Sequence, residues 1–271
     1  MLYLSHVPSP PLCEFVANLW LLSDAPPHQR ERIVPSGTLE LVINLQDDEI
    51  RIYDRVPGNP CARYSGMLVS GAYGRFFVID TAEHALMMGV HFRPGGAFPF
   101  LGMPAKELAD AHVEGGDLWG SWASELRERL CSATTHAQRF RLLEGALRAR
   151  ALDSRPRRPE VRFGVETFQR PRARVRDVAA HVGLSHRHFN ELFANEVGTT
   201  PKLFYRIQRF QRTIEEARRN VAPDWARLAR ECGYFDQSHM IADFLAFSGL
   251  SPVDYVLRQT AQVKENHVAL A

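Results

Sequence analysis

The last third of the chain contains a duplicated pattern, and this repeat restricts the fold more than any other feature. Residues 175–205, VRDVAAHVGLSHRHFNELFANEVGTTPKLFY, align with residues 225–256, WARLARECGYFDQSHMIADFLAFSGLSPVDYV, at an offset of about 50 once one position is inserted in the turn. The equivalent pairs are Ala179/Ala229, Gly183/Gly233, Phe189/Met240, Phe193/Phe244, Gly198/Gly249, Pro201/Pro252 and Phe204/Tyr255. We therefore expect two copies of one helical unit.

The spacing within each copy predicts a helix-turn-helix. A small alanine lets two helices cross closely, and the glycine four residues later supplies a left-handed turn. Ser185 and Asp236 then follow as N-caps of the second helix of each unit. One such pattern is weak evidence, and two α-hairpins packed in a bundle are the alternative. Two copies in register, each closing with Gly, Ser or Thr, Pro and an aromatic residue, favour a DNA reader.

Residues from about 160 to 260 resemble the DNA-binding domain of the AraC/XylS family. The resemblance is carried by VAAHVGLSHRHFNELFANEVGTTPKLFYRIQRFQRT and LARECGYFDQSHMIADFLAFSGLSPVDY. It implies two helix-turn-helix units joined by one long helix, Pro201 to Arg219, with both recognition helices in successive major grooves on one side of the duplex. A helix of some 19 residues spans roughly 28 Å, which suits grooves that recur about every 34 Å.

The predicted DNA contacts lie at the start of each recognition helix and along the connecting helix. Arg can pair with guanine and Asn with adenine, so Arg187 is the strongest candidate base reader. Cations of the connecting helix are expected on phosphates. The predicted DNA-binding set is His186, Arg187, Asn190, Gln237, Ser238, His239, Lys202, Arg206 and Arg209.

The second recognition helix departs from the family pattern, because it carries almost no positive charge. Its later positions are Ala242, Asp243, Leu245 and Ala246. Leu245 with Phe247 could instead face protein. An adaptor that binds a ligand or protein and no longer reads DNA through this unit is therefore the alternative function. A metal-dependent cupin enzyme fused to a regulator is a weaker third option.

The front half reads as β structure followed by helices. Short extended runs separated by Pro and Gly signals predict an antiparallel barrel or sandwich: ERIV, TLELVINL, EIRIY, GMLVSG, GRFFVID and ALMMGVHF. From Pro104 the apolar period becomes helical in AKELADAHV, DLWGSWASELRERL and THAQRFRLLEGALRAR. Residues 1–147 carry a net charge of about −5 and residues 160–271 about +3, the asymmetry expected of an acidic sensor ahead of a nucleic-acid-binding half.

The predicted fold is α+β and multidomain. We expect a β-rich, cupin-like sensor or association domain at 1–105, a helical connector at 106–152, a Pro- and Arg-rich linker at 153–159, and an all-α tandem helix-turn-helix domain at 160–262. The cupin-like assignment is itself implied by a looser resemblance of VPSGTLELVINL, GVHFRPGGAFPFLGMPAKEL and DLWGSWASELRERL to the sensor domain of one branch of the family.

These features predict a sequence-specific transcriptional regulator with no catalytic cycle, metal or cofactor. The four cysteines form no C-x-x-C pair, and the histidines of the front half lack the G-x-H-x-H spacing of a metal cupin. Double-stranded DNA is the expected partner; a small-molecule effector at Glu40, Asn44 and Arg93, a homodimer and a contact with RNA polymerase are left open. The first residues lack a signal-peptide pattern and no run could span a membrane, so we expect a cytoplasmic, bacterial protein.

Overall fold

Two antiparallel sheets form the front half of the protein, and helices form the rest. The computed structural model describes residues 2–23, 30–55, 60–80, 86–151, 157–220, 223–258 and 266–270. A six-stranded sheet has the order β1-β2-β9-β4-β7-β10, and a five-stranded sheet the order β11-β3-β8-β5-β6. The strands are β1 Leu2–His6, β2 Val16–Ser23, β3 Arg30–Ile33, β4 Glu40–Asn44, β5 Ile50–Tyr53, β6 Ala62–Tyr64, β7 Met67–Ser70, β8 Phe77–Asp80, β9 Leu86–Phe92, β10 His112–Glu114 and β11 His267–Ala269.

Each of the six predicted extended runs overlaps a strand; the six strands are β3, β4, β5, β7, β8 and β9. At the centre of the larger sheet β9 pairs with β2 and β4, and Gly89 lies where a side chain would collide with Trp20 and with the Leu41 carbonyl oxygen. The strands that the pattern missed are short or lie outside the predicted stretch, as β1, β2 and β6 do. The predicted combination of a β-rich front and a helical rear is confirmed.

The middle of the chain is helical, with two differences from the prediction. The helices are α1 Phe98–Leu101, α2 Gly115–Trp119, α3 Ser121–Ser132 and α4 His136–Ala151. The expected helix at AKELADAHV is wrong: Ala105–Leu108 form a 3-10 turn and β10 pairs with β7 instead. The expected single helix over DLWGSWASELRERL breaks at Gly120, whose φ of 59° lies in the left-handed region.

The described residues of the rear half form seven helices, and the long connecting helix ends one residue before the predicted Arg219. They are α5 Pro159–Phe168, α6 Val175–His181, α7 His186–Val197, α8 Pro201–Arg218, α9 Trp225–Glu231, α10 Gln237–Ser248 and α11 Pro252–Arg258. Among the described residues, no single helix is long and apolar enough to cross a membrane; α10 and α11 reach that length and hydropathy only as a pair bent by 48°.

The two halves pack directly against each other. From α8, Gln208 donates Nε2 to the Ser36 carbonyl at 3.1 Å and Gln211 donates to the Pro35 carbonyl. Arg32 on β3 donates to the Ser248 carbonyl at 2.8 Å, and β11, which follows the last helix, pairs antiparallel with β3. Residues 153–156 of the predicted linker lie outside the described residues, and the bounds of the four predicted segments stay predictions.

Candidate nucleic-acid interface

The first helical unit consists of α6, a tight turn and α7. Gly183 takes a φ of +71°, and the Leu184 amide donates to the Ala179 carbonyl at 3.0 Å. Ser185 caps α7, its Oγ accepting from the His188 amide at 3.2 Å. Ala179, predicted at the helix crossing, is buried with the phenyl rings that anchor α7 from its inner side. The predicted turn and cap are therefore confirmed.

The second unit repeats this geometry in α9 and α10. Gly233 has a φ of +88°, and the Tyr234 amide donates to the Ala229 carbonyl at 2.9 Å, the same bond between equivalent positions. Asp236 caps α10 through Oδ1, which accepts from the His239 amide at 2.8 Å. Met240 and Phe244 are fully buried and hold α10 inward. The sequence repeat is thus a structural repeat.

Both recognition helices present their polar N-terminal residues to solvent. His186, Arg187 and His188 are exposed in α7, whereas the next residue, Phe189, is buried. Asn190 is half-buried, and its Nδ2 lies 3.4 Å from His186 Nδ1. In α10 the residues Gln237, Ser238 and His239 are exposed, and Lys202 is exposed at the start of α8. These side chains are accessible to a duplex, and their role as DNA contacts stays a prediction.

Arg209 does not fit the predicted phosphate contact, because its side chain is only 8% exposed. Its Nη2 lies 3.1 Å from Asp243 Oδ2, Nη1 donates to the Gly233 carbonyl, and the guanidinium lies 4.3 Å from the centre of the Tyr234 ring. Arg206 contacts the same carboxylate, with Nη2 2.7 Å from Asp243 Oδ1, and its side chain is 37% exposed. The two arginines therefore fix α10 to the connecting helix α8.

Asp243 and Phe247 also lie inside the second unit, so Phe247 does not face outward beside Leu245 as the sequence suggested. Asp243 is 1% exposed and Phe247 is 1% exposed, with Phe247 against Phe210 of α8. The acidic side chain is therefore neutralised internally and does not weaken the outer face of α10. Leu245 is about half exposed, as the sequence suggests.

The structure exposes further candidates that the sequence reasoning missed. Phe235, next to the cap of α10, is 88% exposed, although it stands in the GYFDQSH segment that carries the resemblance. Arg176 at the start of α6 and Arg227 at the start of α9 are 86% and 63% exposed. In helix-turn-helix proteins the first helix crosses the DNA backbone. An arginine near the start of α6 and another near the start of α9 could therefore have been predicted from the sequence as phosphate contacts.

Near the C-terminal end of α7, Glu196 has a carboxyl group with a raised pKa. Glu196 is 3% exposed, and burial raises its pKa to about 7. Arg158 offsets this burial only in part: its Nε lies 3.4 Å from Oε1, yet its side chain is 58% exposed. The neighbouring Arg157 also favours the charged form of the carboxyl group, and Glu160 favours the neutral form.

Glu196→Gln is expected to remove a pH dependence of stability. Because the folded-state pKa is raised, the stabilisation is fully present below the ordinary pKa of 4.5 and is lost as pH rises through about 7. With solvent screening allowed for, the wild type should lose about 1–2 kcal/mol relative to the Glu196→Gln variant between pH 5 and 8. Urea unfolding of both proteins across that range measures the difference, and parallel pH profiles would contradict the expectation.

A cavity of about 800 Å³ lies within the front half and reaches the helical half. Glu40 and Arg93 line it, and Glu40 Oε1 lies 3.3 Å from His91 Nδ1. Asn44 does not line it: the side chain is buried, accepts from the Gln46 and Asp47 amides and donates to the Glu49 carbonyl. Asn44 therefore holds a turn after β4, and the prediction that it binds an effector does not fit the structure.

Two families match parts of the chain. Residues 178–258 match a family described as helix-turn-helix domain, and residues 4–114 match a domain of unknown function, DUF6597. Neither description identifies a cupin, so the cupin-like assignment stays a prediction. No curated protein matches the sequence.

The solved structures that match this chain share little sequence with it. Unsaturated fatty acid-bound ToxT from Vibrio cholerae is 10% identical, with a TM-score of 0.47 and 97% of each chain covered. An apo variant of ToxT is 11% identical, with a TM-score of 0.46 over 89% of this chain and 98% of that one. The C-terminal domain of AraT, a response regulator from Geobacillus stearothermophilus, is 18% identical, with a TM-score of 0.36 over 41% of this chain and 95% of that one.

Proposed function

From the AraC-type helix-turn-helix domain that residues 178–258 form, we propose that this protein is a sequence-specific DNA-binding transcriptional regulator. The observation that carries the proposal is the duplication in three dimensions. Two recognition helices, each capped by a side chain and each exposing a polar N-terminal turn, are joined by the single helix α8. One chain then reads two adjacent major-groove sites.

Base recognition is assigned to the exposed N-terminal turns of α7 and α10. Arg187 is exposed and pairs with guanine, whereas Gln237 and Ser238 occupy the equivalent turn of the second unit. Lys202 and Arg206, the latter partly exposed, contact phosphates beside them. The buried Arg209 supports α10 from behind and has no role at the phosphates.

We further propose that an effector in the cavity modulates DNA binding. The support is the continuity of the cavity wall, since Gln208 of α8 lines the cavity together with Pro35 and Ser36 of the front half. Gln208 and Gln211 donate hydrogen bonds to the backbone carbonyls of those two residues, so a bound molecule acts on the helix that joins both DNA-reading units. A homodimer, a contact with RNA polymerase, cytoplasmic location and the absence of catalysis stay predictions.

Arg187→Ala is expected to relax base preference at one position of the selected DNA site. Losing one bidentate contact to guanine should reduce discrimination there by about 1–3 kcal/mol, roughly 5- to 150-fold. Sequencing fragments selected from random duplexes by each protein measures the change.

Lys202→Ala should instead weaken binding to all sequences about equally and lower the slope of log affinity against log salt by about one.

Arg129→Ala is the matched control for both variants, because Arg129 is exposed on α3, far from the proposed interface in the chain. It should leave affinity, sequence preference and salt slope unchanged. Wild-type protein that selects no sequence and whose weak DNA retention is insensitive to salt would contradict the proposed function. That result would favour an adaptor whose helix-turn-helix units serve another partner.

A further inference from the structure

The cavity contains a histidine whose ring is enclosed by aromatic side chains. His112 lies on β10 at the edge of the larger sheet, with its ring centre 4.8 Å from that of Tyr73 and 4.7 Å from that of Phe77. All three residues line the cavity, and Tyr64 lies 5.7 Å away on another side of the imidazole. The ring therefore forms part of an aromatic wall.

Neither ring nitrogen of His112 has a hydrogen-bond partner among the described residues, and both are hidden from solvent. Buried polar groups in folded proteins are nearly always hydrogen-bonded, so an imidazole with two unpartnered nitrogens in a residue that lines a cavity points to a bound molecule that supplies the missing partner once the ring turns to meet it. Burial lowers the pKa of His112 to about 4, which keeps the imidazole neutral near pH 7. A neutral imidazole offers one N–H donor and one nitrogen acceptor.

The charges of the cavity wall disfavour an anionic ligand. Two carboxylates line it, each next to a histidine: Glu40 beside His91, and Glu31 with Oε2 2.6 Å from His267 Nδ1. Among the described lining residues, Arg93 is the single Lys or Arg side chain, and it is exposed and donates Nε to the Cys13 carbonyl at 2.8 Å. An acid in the cavity would therefore meet two carboxylates, and the one guanidinium among the described lining residues already donates to a backbone carbonyl.

Apolar side chains form most of the remaining wall. They come from strands of both sheets, and the group includes Val42, Ile50, Ile52, Leu68, Ile79 and Met87. A cavity of about 800 Å³ lies within the range of roughly 300–1,000 Å³ that small-molecule sites occupy. Apolar walls with a few fixed polar groups suit a flat molecule with one polar edge.

We propose that this cavity binds an uncharged aromatic or heteroaromatic compound whose hydrogen-bonding group contacts the imidazole of His112 while its ring packs against Tyr73 and Phe77. The inference deepens the proposed function, since it names the chemical class of the effector. It makes His112 the residue that distinguishes compounds with a polar edge from plain hydrocarbons of the same shape.

Isothermal titration calorimetry of the full-length protein at pH 7.5 tests this with three probes of matched shape: 2-naphthol, naphthalene and 2-naphthoate. We expect 2-naphthol to bind, and naphthalene and 2-naphthoate to bind roughly tenfold more weakly, the size of one net hydrogen bond. His112→Phe retains a ring of similar size and removes both nitrogens. It should lower the affinity for 2-naphthol about tenfold and leave that for naphthalene unchanged.

Two further variants localise the effect. His136→Phe alters a histidine on α4 that does not line the cavity, and should bind all three probes as the wild type does. Val42→Trp places an indole inside the cavity and should reduce the affinity for 2-naphthol and naphthalene at least tenfold. If the tryptophan variant does not fold, the probe affinities of the wild type and His112→Phe still test the proposal, because that change keeps a ring of similar size.

Equal affinity of wild type and His112→Phe for 2-naphthol, or tighter binding of 2-naphthoate than of 2-naphthol, would overturn the proposal. So would undiminished 2-naphthol binding by folded Val42→Trp protein. These results are independent of the DNA-binding function, which is measured by sequence selection and salt dependence without any probe. A protein that selects DNA but binds naphthoate best remains a regulator with an effector of another class.

Discussion

Replacing Asp243 with alanine is expected to destabilise the helical half by about 3–5 kcal/mol, the usual cost of removing one partner of a buried ion pair. The Asp243 carboxylate accepts from Arg206 through Oδ1 and from Arg209 through Oδ2. Arg206 is exposed enough to turn toward water, whereas Arg209 would retain a buried positive charge with no opposite charge beside it. Urea unfolding monitored by circular dichroism measures the loss.

Glu215→Ala supplies the matched comparison. Glu215 pairs with Arg219, the residue that follows α8, but both side chains are about 60% exposed, and surface pairs contribute at most about 1 kcal/mol. Joint replacement of Asp243 by Leu and Arg209 by Met should recover much of the stability lost in Asp243→Ala, because no unpaired charge remains. Equal unfolding midpoints for the Asp243 and Glu215 variants would mean that the buried pair does not hold α10.

Gly71→Ala is expected to cost at least about 4 kcal/mol, which places it among the exceptional substitutions. A Cβ atom at this position would lie 1.6 Å from the carbonyl oxygen of Leu108. The obstacle is backbone and cannot rotate away, and the Gly71 amide also donates to the Ala111 carbonyl at 2.9 Å. The substitution should therefore separate the end of β7 from the segment that leads into β10. Thermal and urea unfolding of the purified variant check this.

Gly145→Ala, in the interior of α4, should stabilise the protein, the opposite of the effect expected for Gly71→Ala. A Cβ there meets no atom within 4 Å, and alanine favours a helix over glycine by about 0.5–1 kcal/mol. The same substitution is thus expected to destabilise at residue 71 and to stabilise at residue 145. Stability of Gly71→Ala within about 1 kcal/mol of the wild type would show that the two segments separate easily.

The rear half could be predicted from the sequence because its signals are local. The glycines that end α6 and α9, and the capping Ser185 and Asp236, fix helix bounds through bonds between residues at most five positions apart. The exposed position of Arg187 follows from the inward anchors on the same helix. Because the unit is repeated, a turn predicted in one copy is supported by the equivalent residues of the other copy.

The remaining features depend on contacts between distant segments. Apolar periodicity suggests a helix at residues 105–113, but β10 gains its hydrogen bonds from β7, about 45 residues earlier. Similarly, the spacing of apolar residues along α10 does not indicate that Asp243 contacts Arg209 on another helix. The cavity brings His112, Glu40 and Gln208 together from three separate parts of the chain. Of the residues predicted to bind an effector, Glu40 and Arg93 line the cavity and Asn44 does not, and their role in binding stays a prediction.

The pairing of β11 with β3 has a consequence for biosynthesis. A ribosome completes β3 more than 230 residues before it completes β11, so one edge of the smaller sheet stays unpaired while helices α5 to α11 are made. Unpaired edge strands readily pair with strands of other molecules. The front half therefore depends on the rear half to cover this edge of the sheet, and we expect the front half expressed by itself to aggregate more readily than the whole chain.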